Sequence, residues 1–578
     1  MNRRLSASLL FFLLALSAVR AQVQAPSQNP PRGQATPVLR TTTRLVQINV
    51  IVHNKKGEPV RNLKKEEFTI LDDGKRQKIA AFSAVSADAV DANLIPPLPP
   101  NVFSNRKGPA AANPGSVTVL LFDALNTPIE DQQYARQQVL KFLRQLQPQD
   151  HMAIYVLTTK IRVLNEFTED TTSLLQAIQK FRGYSAPKEN AVNTAPSPVG
   201  QSLFLMNRTS TESMTEQLRE IFADEDAKIN DYVTIRRAAT TTRALVAIAN
   251  HVAHIPGRKN LIWVSGSFPI RIEFDGKSLS PPRRQQASFD DDLEQAARTL
   301  NQANMAIYPV DARGLMTSPH YSAKNEHGLE LASPIAELGP EQKDFQTMDV
   351  LAERTGGKAS YNANDIESLV RRAIADGQYT YTLGFYPTHG EWEGKFHELK
   401  VHVNHQEGLS LRHRKGYFAV PDPPRGPEEN QAALEAALGS PVEWTNLNLD
   451  VILKVFDTSA HTVDVQVGLD TRELSLISSD GRWRDIIYVF VGQLGAEGKM
   501  ITGEKLTFDL ALTQETHDQF LKTGTKFSGR VTISPETVNL RIIAQDTGSG
   551  AIGTLTIPIK NYLAWAASGG IPHAAQKP

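Results

Sequence analysis

The residues with most chemistry to offer stand at the end of one apolar run. Val117-Thr-Val-Leu-Leu-Phe-Asp123-Ala-Leu-Asn126-Thr127-Pro128 places a carboxylate, an amide and a hydroxyl directly after a strand-like stretch. Ligands of open α/β sheets bind at the carboxyl ends of strands. A hard cation such as Mg²⁺ takes oxygen ligands and keeps several waters. Asp123, Asn126 and Thr127 on one loop would therefore suffice to start a site, with an open position for a carboxylate from a partner. The same residues also have a structural use. Thr127-Pro128-Ile129-Glu130 reads as a capping box with proline at the first helical position, and Asp123 can accept from the N–H groups of the turn.

The elements that would hold this loop follow from periodicity. Near-continuous apolar character predicts a parallel strand covered on both faces. From Ser116 strands and helices alternate, with strands ending at Asp123, Thr158, Gly266 and Asp311. Ala135, Val139, Phe142, Leu143 and Leu146 form a helical stripe at spacings of three and four. The run Ile161–Phe167 begins too soon after Thr158 for a parallel crossover, so it must return antiparallel at a sheet edge. Residues 183–212 read as a surface insertion, and a helix near Gln346–Glu353 precedes a turn at Thr355-Gly-Gly. Together these predict a doubly wound, mostly parallel α/β domain over 116–378.

Period-two patterns flank it. Arg44–Val52, Phe68–Leu71 and a hairpin signal at Asp72-Asp73-Gly74 fall within 43–87; Tyr379–Tyr386, Phe396–Val403 and Leu409–His413 fall within 379–420. Three strands alone are marginal, so the two sets are expected to pair, leaving the α/β domain inserted into one small β-sandwich. Residues 22–42, 88–115 and 421–430 read as linkers. Residues 431–565 begin with an Ala/Leu-rich helix, and seven or so strand runs then predict a C-terminal β-sandwich, with a tail over 566–578. The fold class is thus α/β plus all-β.

At 578 residues the chain needs several cores. Its 62 basic and 62 acidic residues cancel, which excludes a general nucleic-acid or anionic-membrane binder. Residues 1–21 combine a basic start, an apolar Leu9–Leu16 stretch and Val19-Arg20-Ala21, the pattern of a secretory signal peptide. No later stretch is apolar for long enough to span a bilayer once that segment is removed. The sequence has no cysteine, so neither disulfides nor thiolate metal sites brace it. An exported protein, periplasmic or extracellular, is expected.

Enzyme motifs are poor. Gly548-Ser-Gly550-Ala-Ile-Gly553 matches a dinucleotide-loop spacing, but a strand follows it, which favours a hairpin loop. Ser265-Gly266-Ser267 lacks a nucleophile-elbow pattern. His251 with His254, and His402 with His405, read as solvated or packed rather than metal-binding. Asp311 and Arg313 read as a local ion pair, Trp263 and Tyr308 as core, and Arg412-His-Arg-Lys415 as a solvated face.

The element order and the strands ending at Asp123 and Gly266 resemble a von Willebrand factor type A domain. More narrowly, Gly57–Phe68, Phe122–Thr127, Pro256–Pro269, Tyr308–Gly314 and Tyr379–Tyr417 resemble the VWFA-related secreted proteins of acidobacteria. The resemblance covers roughly 43–420 and implies a metal-ion-dependent adhesion site. In that family the site is Asp-x-Ser-x-Ser, a later Thr and a second Asp. Here Asp123 and Thr127 match its ends, whereas Leu125 takes the middle position. Ser265 or Ser267 stands in place of the second Asp, and one of Thr240, Thr241 and Thr242 supplies the later Thr. The resemblance therefore implies a degenerate site of Asp123, Asn126, Thr127, Thr241 and Ser265, holding Mg²⁺ weakly or not at all.

The expected function is that of a non-enzymatic scaffold or adhesion protein that binds a protein partner in the envelope or outside the cell. The alternatives are a hydrolase of envelope polymers using Asp123 and Asp311, and a purely structural scaffold without metal.

Overall fold

The structure, a computed structural model, describes residues 45–86, 102–105, 116–146, 151–185, 233, 235–255, 257–266, 283–313, 340–361, 366–388, 395–404, 408–419, 426–457 and 461–559. The proposed signal peptide and tail, Ser267, His405 and most of the 183–212 insertion lie outside them. The described residues belong to one compact unit, Arg44–Pro578.

At its centre is a mixed five-stranded sheet. Its strands run in the order Met305–Asp311, Arg258–Ser265, Ser116–Asp123, His151–Leu157, Ile161–Thr168. The first four are parallel, and the last turns back antiparallel at the edge. Alternation along each strand divides the apolar side chains between two cores. Val117, Val119, Leu121, Tyr155, Leu261 and Trp263 face the helix over 235–252 and the helices Arg283–Gln302 and Pro340–Thr355. Leu120, Phe122, Ile154, Val156, Ile262 and Tyr308 face the helices Ile129–Leu143, Thr171–Lys180 and Ile366–Gln378. Burial on both faces is why these strands read as unbroken apolar runs.

Strands from either side of this domain share two further sheets. Val46–His53 and Ile79–Ser86 flank Tyr379–Phe385, and Phe68–Asp72 pairs with Phe396–Val403. Val46, Ile48, Val50, Phe68, Ile70, Tyr381, Leu383 and Leu399 fill the core between them. Helix Ile366–Gln378 runs straight into strand Tyr379–Phe385, which ties this lobe to the α/β domain.

The expected solvated face at 412–415 holds for the exposed Lys415 and is corrected for the half-buried Arg412 and Arg414. Arg412 pairs with the buried Asp376, Lys415 Nζ meets Glu353 Oε1 at 2.5 Å, and Arg414 donates to Gln47 O at 2.6 Å. The basic run is a seam between lobe and domain, because its strand lies against two helix ends.

The C-terminal residues 449–559 form two sheets that face each other across one core, including Leu449, Val451, Val465, Val467, Val489, Val491, Ile542 and Ile557. One of these sheets takes an edge strand from far upstream. Val102–Ser104, within the stretch expected to be linker, pairs with Leu449–Asp457. Asn105 then locks it: its side chain donates to Trp444 O and Leu447 O at 3.1 and 2.9 Å and accepts from Leu449 N at 2.9 Å. The segment 88–115 is therefore not linker throughout. Gly548–Ala551 lies in the hairpin loop between the antiparallel strands Asn539–Asp546 and Ile552–Pro558, and Gly553 already pairs with Ala544 in the ladder.

Candidate functional site

The carboxyl end of strand Ser116–Asp123 lies between two parallel neighbours and beneath the helix over 235–252. Parity sets what meets there. Asp123, Trp263 and Ser265 all point to the face that this helix covers, so Thr241, on the helix, can close over them.

The five residues implied as ligands do come together. Asp123 Oδ1 accepts from Asn126 N at 3.0 Å. Its Oδ2 accepts from Asn126 Nδ2 at 2.8 Å, Trp263 Nε1 at 3.0 Å and Ser265 Oγ at 3.0 Å. Asn126 Nδ2 also donates to Thr241 Oγ1 at 2.8 Å. Thr127 Oγ1 donates to Asp123 O at 2.5 Å and accepts from Gly266 N at 2.9 Å. Thr240 and Thr242 turn instead to carbonyls within their own helix.

The orientation of Asn126 is fixed by chemistry. Asp123 Oδ2 is an acceptor, and Thr241 Oγ1 gives its own proton to Arg237 O at 2.9 Å. The amide atom between two acceptors must be the nitrogen.

This donor set does not fit Mg²⁺. A cation needs oxygens with lone pairs to spare and room for its waters. Here one carboxylate oxygen is filled by three donors, both sides of the Thr127 hydroxyl are engaged, and an NH₂ group sits where a ligand oxygen would be needed. Asp123, Thr241 and Ser265 are fully buried, and Asn126 and Thr127 nearly so. Burial pushes the Asp123 carboxyl above the usual carboxylate range, against the opposing pull of its donors from Asn126, Trp263 and Ser265. The arrangement is a polar clasp joining two strands and a helix.

Two sequence expectations change. Thr127 does not cap the following helix: Pro128 is the N-cap residue of Ile129–Leu143, without a side-chain cap, because the Thr127 hydroxyl faces the strand. Trp263 is core, yet its indole N–H also supplies one of the donors to Asp123. An apolar strand pattern gives no sign of that second role.

Asp311, the other carboxylate of the hydrolase alternative, is bound by Arg313 Nε at 3.0 Å and is 3 % exposed. Strand Arg258–Ser265 lies between it and Asp123. His251 Nδ1 contacts Glu443 O at 2.5 Å and His254 Nε2 contacts Glu473 at 3.5 Å, so this pair docks the C-terminal residues. A cavity of about 380 Å³ opens elsewhere, lined among others by Asp450, Asp470, Arg472, Lys522 and Lys526.

Neither a family model nor a curated relative matches the chain. Solved structures that match the chain include a von Willebrand factor type A protein from Catenulispora acidiphila, at 8% identity over 86% of this chain and 75% of that one, with a TM-score of 0.21. An aerotolerance-related membrane protein from Bacteroides fragilis matches at 11% identity over 45% of this chain and 98% of that one, with a TM-score of 0.22. The type V pili tip protein Mfa5 from Porphyromonas gingivalis matches at 7% identity over 83% and 77%, with a TM-score of 0.21. Likenesses this distant say nothing of function. Among the described residues no helix is long and apolar enough to cross a membrane.

Proposed function

We propose that the chain is a non-catalytic scaffold of the cell envelope or exterior that presents its surfaces to a protein partner. The observation that carries this reading is the closure of the Asp123 carboxylate by four donors at zero exposure. A general acid or base must reach the proton it moves, and an adhesion ion must reach its partner's carboxylate. Asp123 does neither, and Asp311 is tied to Arg313.

The interlocking of the chain supports the same reading. A strand from residues 102–104 completes a C-terminal sheet, and strands from both sides of the α/β domain share the second lobe. Export is supported by the basic and apolar pattern of residues 1–21.

The test uses the mature protein on envelope extracts and on purified peptidoglycan and glycans. A retained protein partner, no polymer cleavage and no thermal shift with millimolar Mg²⁺ are expected. Polymer cleavage lost on Asp311→Asn would restore the hydrolase reading. A Mg²⁺-induced shift lost on Asp123→Asn would restore the adhesion-site reading.

A further inference from the structure

We propose that Asp72, Asp73 and His397 form a binding site for a first-row divalent cation, with Zn²⁺ the best match. Strand Phe68–Asp72 ends in a two-residue turn, Asp73-Gly74, with positive φ at both positions, 47° and 77°. Turns of this kind fit the twist of a hairpin and fix its register. The neighbouring strand brings in His397, and the strand Gly416–Phe418 places Tyr417 opposite His397.

Nδ1 of His397 lies 3.2 Å from Asp72 Oδ1 and 3.1 Å from Asp73 Oδ2. The three ligand atoms all fall within 4.8 Å of one another. Zinc bonds to nitrogen and oxygen are about 2.0–2.2 Å long, so ligand atoms around one ion stand roughly 3.0–3.4 Å apart. Both measured separations fall in that window. Imidazole with two carboxylates is a donor set that suits Zn²⁺ and its first-row neighbours better than Mg²⁺ or Ca²⁺.

The supports of these groups are of the kind that orient metal ligands. Tyr417 OH donates to Asp72 Oδ2 at 3.0 Å, and Glu398 N donates to Asp73 Oδ1 at 2.8 Å. Each carboxylate is therefore held by one oxygen while the other points at Nδ1. The Tyr417 ring stacks on His397 with centroids 5.3 Å apart, which fixes the imidazole plane. Outer partners of this type set ligand orientation and metal affinity. The Asp72 side chain is 2% exposed and that of Asp73 49%, so the site is buried on one side and open on the other. Water or a partner's carboxylate can complete the coordination there.

The test is calorimetric titration of tag-free, chelator-stripped mature protein with ZnCl₂ and, separately, MnCl₂. Binding of one Zn²⁺ per chain is expected. His397→Ala and Asp73→Asn should each weaken it at least about tenfold, and Tyr417→Phe, which keeps all three ligands, by roughly 10- to 100-fold. Asp73 is exposed, so its variant carries the test should His397→Ala fail to fold. No Zn²⁺ binding by the unmutated chain below about 1 mM, or equal affinity in Asp73→Asn, would overturn the proposal and leave an ion pair only.

Discussion

Trp263 donates its indole N–H to the carboxylate of Asp123 at 3.0 Å, across 140 residues of sequence and from the neighbouring strand. This bond turns a buried charge into a structural joint. Trp263→Phe keeps most of the apolar volume and removes one charge-assisted bond, so stability should fall by about 2–3 kcal/mol. Asp123→Ala strands four donors at once and should cost at least about 4 kcal/mol. Urea denaturation of the two variants checks both values. An Asp123→Ala protein as stable as its parent would show that the joint is not needed.

Arg412 and Lys415 each pair with an acid of the α/β domain, but they should differ in weight. Asp376 is 2% exposed in its side chain, and burial raises its carboxyl pKa against the pull of Arg412 and Arg258. Arg412→Ala leaves that carboxylate short of its nearest cation and should cost about 2–4 kcal/mol. The Lys415 and Glu353 side chains are 61% and 51% exposed, so Lys415→Ala should cost under about 1 kcal/mol. Equal losses in thermal unfolding would contradict the assignment of the seam to Arg412.

What the sequence made legible were the elements whose signal is local. The apolar run ending at Asp123 and the hairpin turn Asp72-Asp73-Gly74 were readable because the side chains that decide them are neighbours in the chain. Partners from afar decided the rest. The hydroxyl of Thr127 had a capping site within reach and a strand carbonyl in competition, and the strand won because Gly266 N completes the pair of bonds. Val102–Ser104 is three residues in a proline-rich stretch, too short to show a period, and its pairing partner comes only at Asp450–Ile452. The basic run 412–415 looked solvated because Asp376 and Glu353 lie on separate helices.

Asn105 is the test of that upstream strand. Its side chain makes three bonds to the backbone at 444–449 while 2% exposed. Asn105→Ala should cost about 2–4 kcal/mol by stranding two carbonyls and one N–H. The loss should appear first as faster amide exchange in Leu449–Asp457. Unchanged exchange there would mean the edge strand is ornamental.

Asp485 and Asp546 give the C-terminal residues a dependence on pH. Burial, and next the charge of Asp546, push the Asp485 carboxyl up to about 7. Asp546 itself accepts from Ser475 N, Gly548 N, Ser549 N and Ser549 Oγ. The folded pKa is raised, so this contribution to stability is whole below the unfolded value of about 4 and lost as pH rises through about 7. The melting temperature should fall across that window. Asp485→Asn, which cannot ionise, should flatten the slope and melt higher at pH 8; an unchanged profile would assign the dependence elsewhere.

Lys259 carries the opposite sign. It is 2% exposed, and its ammonium meets only Gly257 O, at 3.2 Å, among the described bonds. Burial lowers its pKa to about 7. Below that value the folded chain must hold a desolvated charge that the unfolded chain keeps in water. Between about pH 7 and 10.5 the folded amine is neutral while the unfolded one is still charged, and above that range the penalty is gone. Lys259→Met has similar length and no charge, and Gly257 O keeps a bond from Asn304 Nδ2 at 2.9 Å. The variant should therefore be more stable than its parent by on the order of 2 kcal/mol at pH 6–7. The gain should shrink toward pH 10. Urea midpoints at pH 6, 8 and 10 measure it, and a loss of stability at pH 6 would show that the ammonium is held by more than one carbonyl.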